Sequence, residues 1–344
     1  MQTALITGVA GQDGSYLADL LLEKGYTVYG MYVASTRMNS SQVCLAFDNI
    51  KHLHGNKQFI PVSGNLMDLR SVEIVIEQAK PDEIYNLAAQ SHVKRSETEP
   101  EVTRNTNAYG VDRILYAARK IVPNAKFYQA STSEMFGNAK APQDENTPFA
   151  PVSPYGEAKL FAHQLVKDNR EKGFFTVGGI LFNHESERRG MSFVTRKITY
   201  GLAGIKLGFE NHLSLGNLDA KRDWGHSKDY VRAMWLMLQN KTPIDYVIST
   251  GETHSVREFI EAAAQVLDIN IEWKGAGVEE IGMWNNKPII KIDQSFYRTR
   301  EINVLCGNSA KAQNELGWKP EIGFKKLAEM MTKNDLSLRN KQGY

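Results

Sequence analysis

Thr3 to Gly14 reads TALITGVAGQDG, and this stretch decides the fold. An apolar strand, Thr3 to Thr7, runs straight into three glycines spaced three apart, Gly8, Gly11 and Gly14. The next residues carry Leu17, Leu20 and Leu21 on one helical face and stop at Lys24-Gly25, a normal helix end. Strand, glycine loop and helix together form the setting a dinucleotide-binding loop requires. Gly8 permits the tight turn, Gly11 a close backbone approach to a pyrophosphate, and Gly14 a close seat for the helix. The helix amino terminus then faces the phosphates.

Working outward, short apolar runs alternate with helical ones. Strands are expected at Tyr26–Tyr32, Gln58–Val62, Glu83–Ala88, Lys126–Ala130 and Thr176–Phe182. Helices are expected at Arg70–Ala79, over the long stretch Glu101–Ile121, and around Tyr155. This alternation predicts an α/β protein with a doubly wound parallel sheet of Rossmann type. The regular alternation ends beyond Phe182, which predicts a smaller α/β substrate lobe. The expected division is 1–182 with 223–250 for the dinucleotide domain and 183–222 with 251–333 for the lobe. The remaining residues, 334–344, are polar and read as a disordered tail.

Bulk numbers narrow the class. The chain has 344 residues, 42% apolar and 23% charged, enough for a substantial core. A net charge of +2 excludes nucleic-acid or membrane binding by bulk charge. Cys44 and Cys306 have no metal-ligand spacing, so no metal is expected. With no basic leader or long apolar run, the expected compartment is the cytoplasm.

The chemistry concentrates between Ser131 and Lys159, which reads STSEMFG, a polar loop, then SPYGEAK. Thr132 and Glu134 follow a strand, at the carboxyl end where parallel sheets present catalytic groups. Tyr155 and Lys159 stand four apart, on one face of a helix. A lysine ammonium there is expected to lower the phenol from its usual value near ~10 and make it a base. Tyr-x-x-x-Lys alone recurs by chance on surface helices; the glycine loop and Thr132/Glu134 give it weight. Arg37, past the second strand, can meet a 2′-phosphate, which favours NADP over NAD. Arg222 and Arg298 are candidates for a diphosphate. His92, Trp224 and Trp318 read as structural.

With these motifs in one chain, the sequence resembles the extended short-chain dehydrogenase/reductase family, and within it the nucleotide-sugar 4,6-dehydratases. The resemblance runs nearly the full length, through PDEIYNLAAQSHV, YQASTSEMFG, GILFNHESERRG with FVTRKIT, and GNLDAKRDWGHSKDYV. It implies a lyase with tightly held NADP, NAD being possible, that turns GDP-mannose into its 4-keto-6-deoxy product. It implies Thr132, Glu134, Tyr155 and Lys159 as catalytic residues. Cofactor contacts are implied at Gly8, Gly11, Gln12, Asp13, Gly14, Arg37, Asn65, Leu66, Leu87, Ala89, Ser91, Tyr128, Lys159, His184 and Arg189. Substrate contacts are implied at Ser91, Ser133, Asn183, Lys197, Arg222, Arg298 and Glu301. A homodimer or homotetramer is implied as well.

Several positions depart from the family pattern. The paired arginines after the second strand are replaced in Tyr32-Val33-Ala34-Ser35-Thr36-Arg37, and the usual Asp-Leu is Asn65-Leu66. Ser96-Glu97-Thr98, Ser186-Glu187-Arg188-Arg189 and Phe296-Tyr297-Arg298-Thr299 also differ. Those near the sugar pocket leave GDP-D-glycero-manno-heptose open as the substrate. A 4-epimerase or 4-reductase needs Thr132, Tyr155 and Lys159 but has no use for Glu134. A catalytically silent cofactor sensor has no need of a base beside the nicotinamide.

Overall fold

The computed structural model describes residues 1–33, 47–297, 302 and 304–343. Its first elements are β1 (Thr3–Thr7), α1 (Gln12–Glu23), β2 (Thr27–Tyr32), β3 (Phe59–Ser63), α2 (Leu69–Ala79) and β4 (Glu83–Asn86). Two short helices follow, α3 (Val93–Thr98) and α4 (Pro100–Arg104), then α5 (Gly110–Ile121) and β5 (Lys126–Thr132). Next come α6 (Pro154–Glu171), β6 (Thr176–Leu181) and β7 (Asn183–Glu185). Further on lie α7 (Val194–Lys206), β8 (Leu213–Leu215), β9 (Lys221–Arg222), β10 (Trp224–His226), α8 (Ser227–Gln239) and β11 (Tyr246–Ile248).

Seven strands form one sheet in the order β11-β6-β5-β4-β1-β2-β3, every neighbouring pair parallel. The order turns between β1 and β4, so a crevice opens at their carboxyl ends. Both sheet faces are covered: one by α1 and α8, the other by α2, α5 and α6. Two separate apolar layers result, with Leu17, Val231 and Met234 in one and Leu5, Val75 and Ile114 in the other. This is the expected doubly wound sheet.

A further apolar core gathers the later chain. Leu213, Phe259, Ile260, Ile290, Leu327 and Trp224 pack together, fully or nearly buried. Its helices are α7, α9 (Val256–Val266) and α11 (Phe324–Gln342); α10 (Ala310–Leu316) packs instead on α8 and β11. Its strands are β13 (Glu272–Lys274), β14 (Ile281–Trp284) and β15 (Lys287–Ile292), with β8 added parallel to β15. A two-residue strand, β12 (His254–Ser255), precedes α9 and pairs with β9. Trp224 and Trp318 are packed inside, as expected.

Two expectations need correction. The stretch Glu101–Ile121 is not one helix: α4 gives way to a turn of π-helix at Asn105–Tyr109 before α5. The amide of Asn107 ties this bulge to the loop after β4, its Oδ1 accepting from the Gln90 N–H at 2.8 Å. The supposed disordered tail is the second half of α11. Asp335, 0% exposed, accepts from Arg196 Nε at 2.7 Å and from Thr199 Oγ1 at 2.6 Å. Arg339 pairs with Glu210 at 2.7 Å. Polar residues are buried there because each finds a charged partner.

Candidate active site

The glycine loop forms where β1 meets α1. Gly8 has φ +71°, and a Cβ there would lie 2.9 Å from Ala88 Cα, so loop and β4 touch backbone to backbone. A Cβ on Gly14 would stand 2.4 Å from the Gly8 carbonyl oxygen. No side chain caps α1. The loop thus leaves a helix amino terminus facing the crevice, the arrangement suited to a phosphate.

Asp13 in this loop carries more than the motif foretold. It accepts from Ser227 Oγ at 2.6 Å and bonds His184 Nε2 at 2.8 Å. Burial pushes its carboxyl up, but His184, Ser227 and Arg189 together hold it well below the usual range. Burial pushes His184 down; the Asp13 charge and hydrogen bond outweigh this and raise it. His184 Nδ1 lies 2.8 Å from the Phe182 carbonyl, which leaves Nε2 aimed at Asp13. Gln12 Nε2 bonds the His184 carbonyl at 3.0 Å, so α1 and β7 are stitched across the crevice.

Thr132 is the last residue of β5, which runs two residues further than expected. Its Oγ1 accepts the Glu134 N–H at 3.3 Å and caps a single 3-10 turn, Ser133–Phe136. Glu134 is thereby fixed beside the strand end, 7% exposed. Ser153 caps α6, and Pro154 occupies its first turn. That start places Tyr155 beside Thr132 and Glu134 on the cavity wall, where its N–H bonds Ser96 Oγ at 3.1 Å.

Lys159 does stand one turn along from Tyr155, but the expected effect on the phenol is absent. Lys159 Nζ donates to the Ala130 carbonyl at 2.9 Å and lies 5.9 Å from the Tyr155 ring centre. The phenol is pushed up to about 12, first by burial and then by the Glu134 charge. A Thr132 hydrogen bond and the Arg189 charge pull the other way. Lys159 is itself pushed down to about 8 by burial, with Asp13 opposing. Helical spacing gave the face correctly; the depth of burial reversed the sign.

One cavity of about 580 Å³ joins these groups. Its wall includes Asp13, Leu87, Ala89, Ser91, Thr132, Ser133, Glu134, Tyr155, Lys159, Asn183, His184, Arg189, Lys197 and Arg222. Gly8, Gly11, Gln12 and Gly14 lie behind it in the loop. Asn65, Leu66 and Tyr128 are off the wall; Leu66 and Tyr128 are buried in the two layers flanking the sheet. Arg37, Arg298, Glu301 and Cys44 fall outside the described residues. Arg222, 6% exposed, donates to the Ile302 carbonyl at 2.7 Å. His92 stacks on Phe193 at 4.2 Å and bonds Ser192 Oγ at 2.9 Å, a structural place on the wall.

Sequence reasoning missed several wall residues. Glu185 pairs with Arg189 at 3.0 Å and accepts from Thr195 at 2.6 Å, while the Arg189 guanidinium lies 3.6 Å over Phe193. Met191, Phe193, Phe296 and Lys94 also line the cavity. Only the polar run Asn183–Arg189 after a strand signalled part of this group. Arg196 ties α11 to the same loop, donating to the Asp335 carboxylate and to the Arg189 carbonyl at 2.9 Å.

A family model described as GDP-mannose 4,6 dehydratase matches residues 5–331. The GDP-mannose 4,6 dehydratase of Cricetulus griseus is 48% identical, over 98% of this chain and 92% of that one. The GDP-mannose 4,6-dehydratase of Vibrio cholerae is 45% identical, over 97% of this chain and 94% of that one. Among solved structures, RMD from Pseudomonas aeruginosa complexed with NADPH superposes with a TM-score of 0.75, at 22% identity, covering 98% of this chain and 99% of that one. At that identity the likeness speaks for the fold alone.

Proposed function

We infer the chemistry from the premise that this chain belongs to the GDP-mannose 4,6-dehydratase family. The enzyme removes water from GDP-mannose to give GDP-4-keto-6-deoxy-mannose. One observation carries the assignment of residues: Thr132, Glu134 and Tyr155 share a cavity wall with Asp13 and His184 of the dinucleotide crevice.

The residues fit a nicotinamide dinucleotide, which we take to be NADP, with NAD as the variant. Gly8, Gly11 and Gly14 leave a cradle that any side chain would fill, at an uncapped helix start. Gln12 and Asp13 complete the loop, and Leu87, Ala89 and Ser91 line the next edge. Lys159, His184 and Arg189 stand at the nicotinamide end; Arg37, Asn65, Leu66 and Tyr128 complete the proposed contacts. When bound, the nicotinamide would supply the hydride-accepting and hydride-donating chemistry that oxidation at C4 and reduction at C6 require.

Tyr155 Oη takes the proton from the C4 hydroxyl, and Thr132 Oγ1 hydrogen-bonds the same oxygen. A phenol near 12 is protonated at neutral pH, so the loaded site must hold it lower. Thr132 and Arg189 already act in that direction. The 4-ketone makes the C5 proton acidic. Glu134 removes that proton and gives one to the departing C6 oxygen, so water leaves. Tyr155 then returns a proton to C5.

Ser133, Asn183, Lys197, Arg222, Arg298 and Glu301 form the GDP-sugar side of this reading. We draw the dinucleotide domain at 1–182 and 223–250, and the sugar lobe at 183–222 and from 251 onward through α11. A cytoplasmic homodimer or homotetramer completes it. Val102, Tyr109, Tyr116 and Phe161 leave apolar side chains exposed near α4 to α6, a face a second copy would cover.

The test is incubation with GDP-mannose and, separately, GDP-D-glycero-manno-heptose, with products weighed by mass spectrometry. GDP-mannose losing one water is the expected result. Unchanged mass with altered stereochemistry would place the enzyme among epimerases, and no turnover at all would favour a sensor.

A further inference from the structure

A short strap, Asp293 to Tyr297, containing a single 3-10 turn, contributes Phe296 to the cavity wall. Its base is fixed: the Asp293 N–H bonds the Leu215 carbonyl at 2.8 Å, and Asp293 Oδ1 accepts from the Ser295 N–H at 2.8 Å. The strap lies close against Gly216, where a Cβ would come within 3.0 Å of the Phe296 carbonyl oxygen.

Two lysines hold the tip. Lys94 Nζ, from α3, donates to the Ser295 carbonyl. Lys197 Nζ, from α7, lies 3.5 Å from the centre of the Phe296 ring. Lys94, Lys197 and Phe296 all line the cavity. Lys94 makes no ion pair with a carboxylate among the described residues; its one hydrogen bond is to a neutral carbonyl. An ammonium bonded to a carbonyl, at the mouth of a cavity, will gain by exchanging it for an anion.

The ligand's orientation follows from the floor. Thr132, Glu134 and Tyr155 hold the sugar at the carboxyl end of β5, so what projects outward is the diphosphate and nucleoside. Lysine has donors only and acts as a point charge. A diphosphate collects two such ammoniums far better than a neutral base does.

We propose that Lys94 is a diphosphate-binding residue of the nucleotide-sugar site, exchanging the Ser295 carbonyl for a phosphate oxygen when the ligand enters. This rests on the GDP-sugar reading above. Released from Lys94, the strap is free to settle against the nucleoside.

Isothermal titration with GDP and with guanosine tests it, using wild type, Lys94→Met and Lys94→Arg of the full chain. Lys94→Met should weaken GDP binding by about tenfold or more, the worth of a hydrogen bond to a charged group. Guanosine affinity should stay within about twofold, and Lys94→Arg should recover most of the loss for GDP. Circular dichroism checks the fold of each variant. Equal GDP affinity in wild type and Lys94→Met would overturn the proposal, as would an equal loss for GDP and guanosine. Wild type preferring UDP over GDP would instead sink the guanine reading, and the Lys94 comparison would then be made on UDP against uridine.

Discussion

Replacing Lys159 by methionine should make the ligand-free protein more stable while abolishing turnover. Lys159 is 5% exposed, and burial drops it from 10.5 to about 8. At ~1.4 kcal/mol per tenfold change in proton affinity, that drop of roughly 2.5 corresponds to about 3 kcal/mol held against the fold while the lysine is charged. The folded value lies below the unfolded one. The cost is therefore fully present below pH 8 and is relieved as pH rises from 8 to 10.5. Methionine has no such dependence. It forfeits the bond to the Ala130 carbonyl, worth about 1 kcal/mol, so the net gain near pH 7 should be about 2 kcal/mol. The assay is urea denaturation of cofactor-stripped wild type and Lys159→Met from pH 7 to 10.5. The gap between the two curves should move by about 3 kcal/mol in favour of wild type across that range. Parallel curves would refute the reasoning, whatever their offset.

Asp13→Asn should return the His184 titration from above its ordinary value to below it, since burial alone lowers it; NMR of the imidazole reads this directly. The Asp13–His184 contribution to stability is fully present between the ordinary carboxylate and imidazole ranges; it fades as pH rises through the raised His184 value and as pH falls below the carboxylate range, and Asp13→Asn should remove both slopes. Gly14→Ala, which sets a methyl 2.4 Å from a backbone oxygen, should cost about 1–3 kcal/mol in denaturation and prevent co-purification of the nicotinamide cofactor. Asp335→Ala strands the buried Arg196 and should cost about 3–5 kcal/mol by thermal or urea unfolding; an unchanged midpoint would mean the terminal helix is not integral to the fold.

Local features were legible in the sequence because their causes are local. The glycine loop, the alternation of strand and helix, the placing of Thr132 at a strand's carboxyl end and the start of the Tyr155 helix depend on neighbours within a few residues. The Asp13–His184 bond joins residues 171 apart, and only the closed sheet brings them together. The second half of the terminal helix was hidden because its buried residues are Asp335 and Arg339, whose partners Arg196 and Glu210 lie far back in the chain. Hydropathy reads such a segment as exposed. Nothing in Asn105 to Tyr109 marks the π turn: no proline or glycine lies within it, and the tie from Asn107 comes from the loop after β4. The phenol's direction failed for a similar reason, since spacing along a helix reports which way a side chain faces and not how much water it keeps.

The most direct test of the chemistry is Glu134→Gln incubated with GDP-mannose in deuterated water, with product mass and deuterium at C5 followed together. A single carboxylate that both takes the C5 proton and releases the C6 hydroxyl predicts neither water loss nor C5 exchange, in a variant that still binds GDP. Dehydrated, C5-deuterated product at the wild-type rate would contradict it.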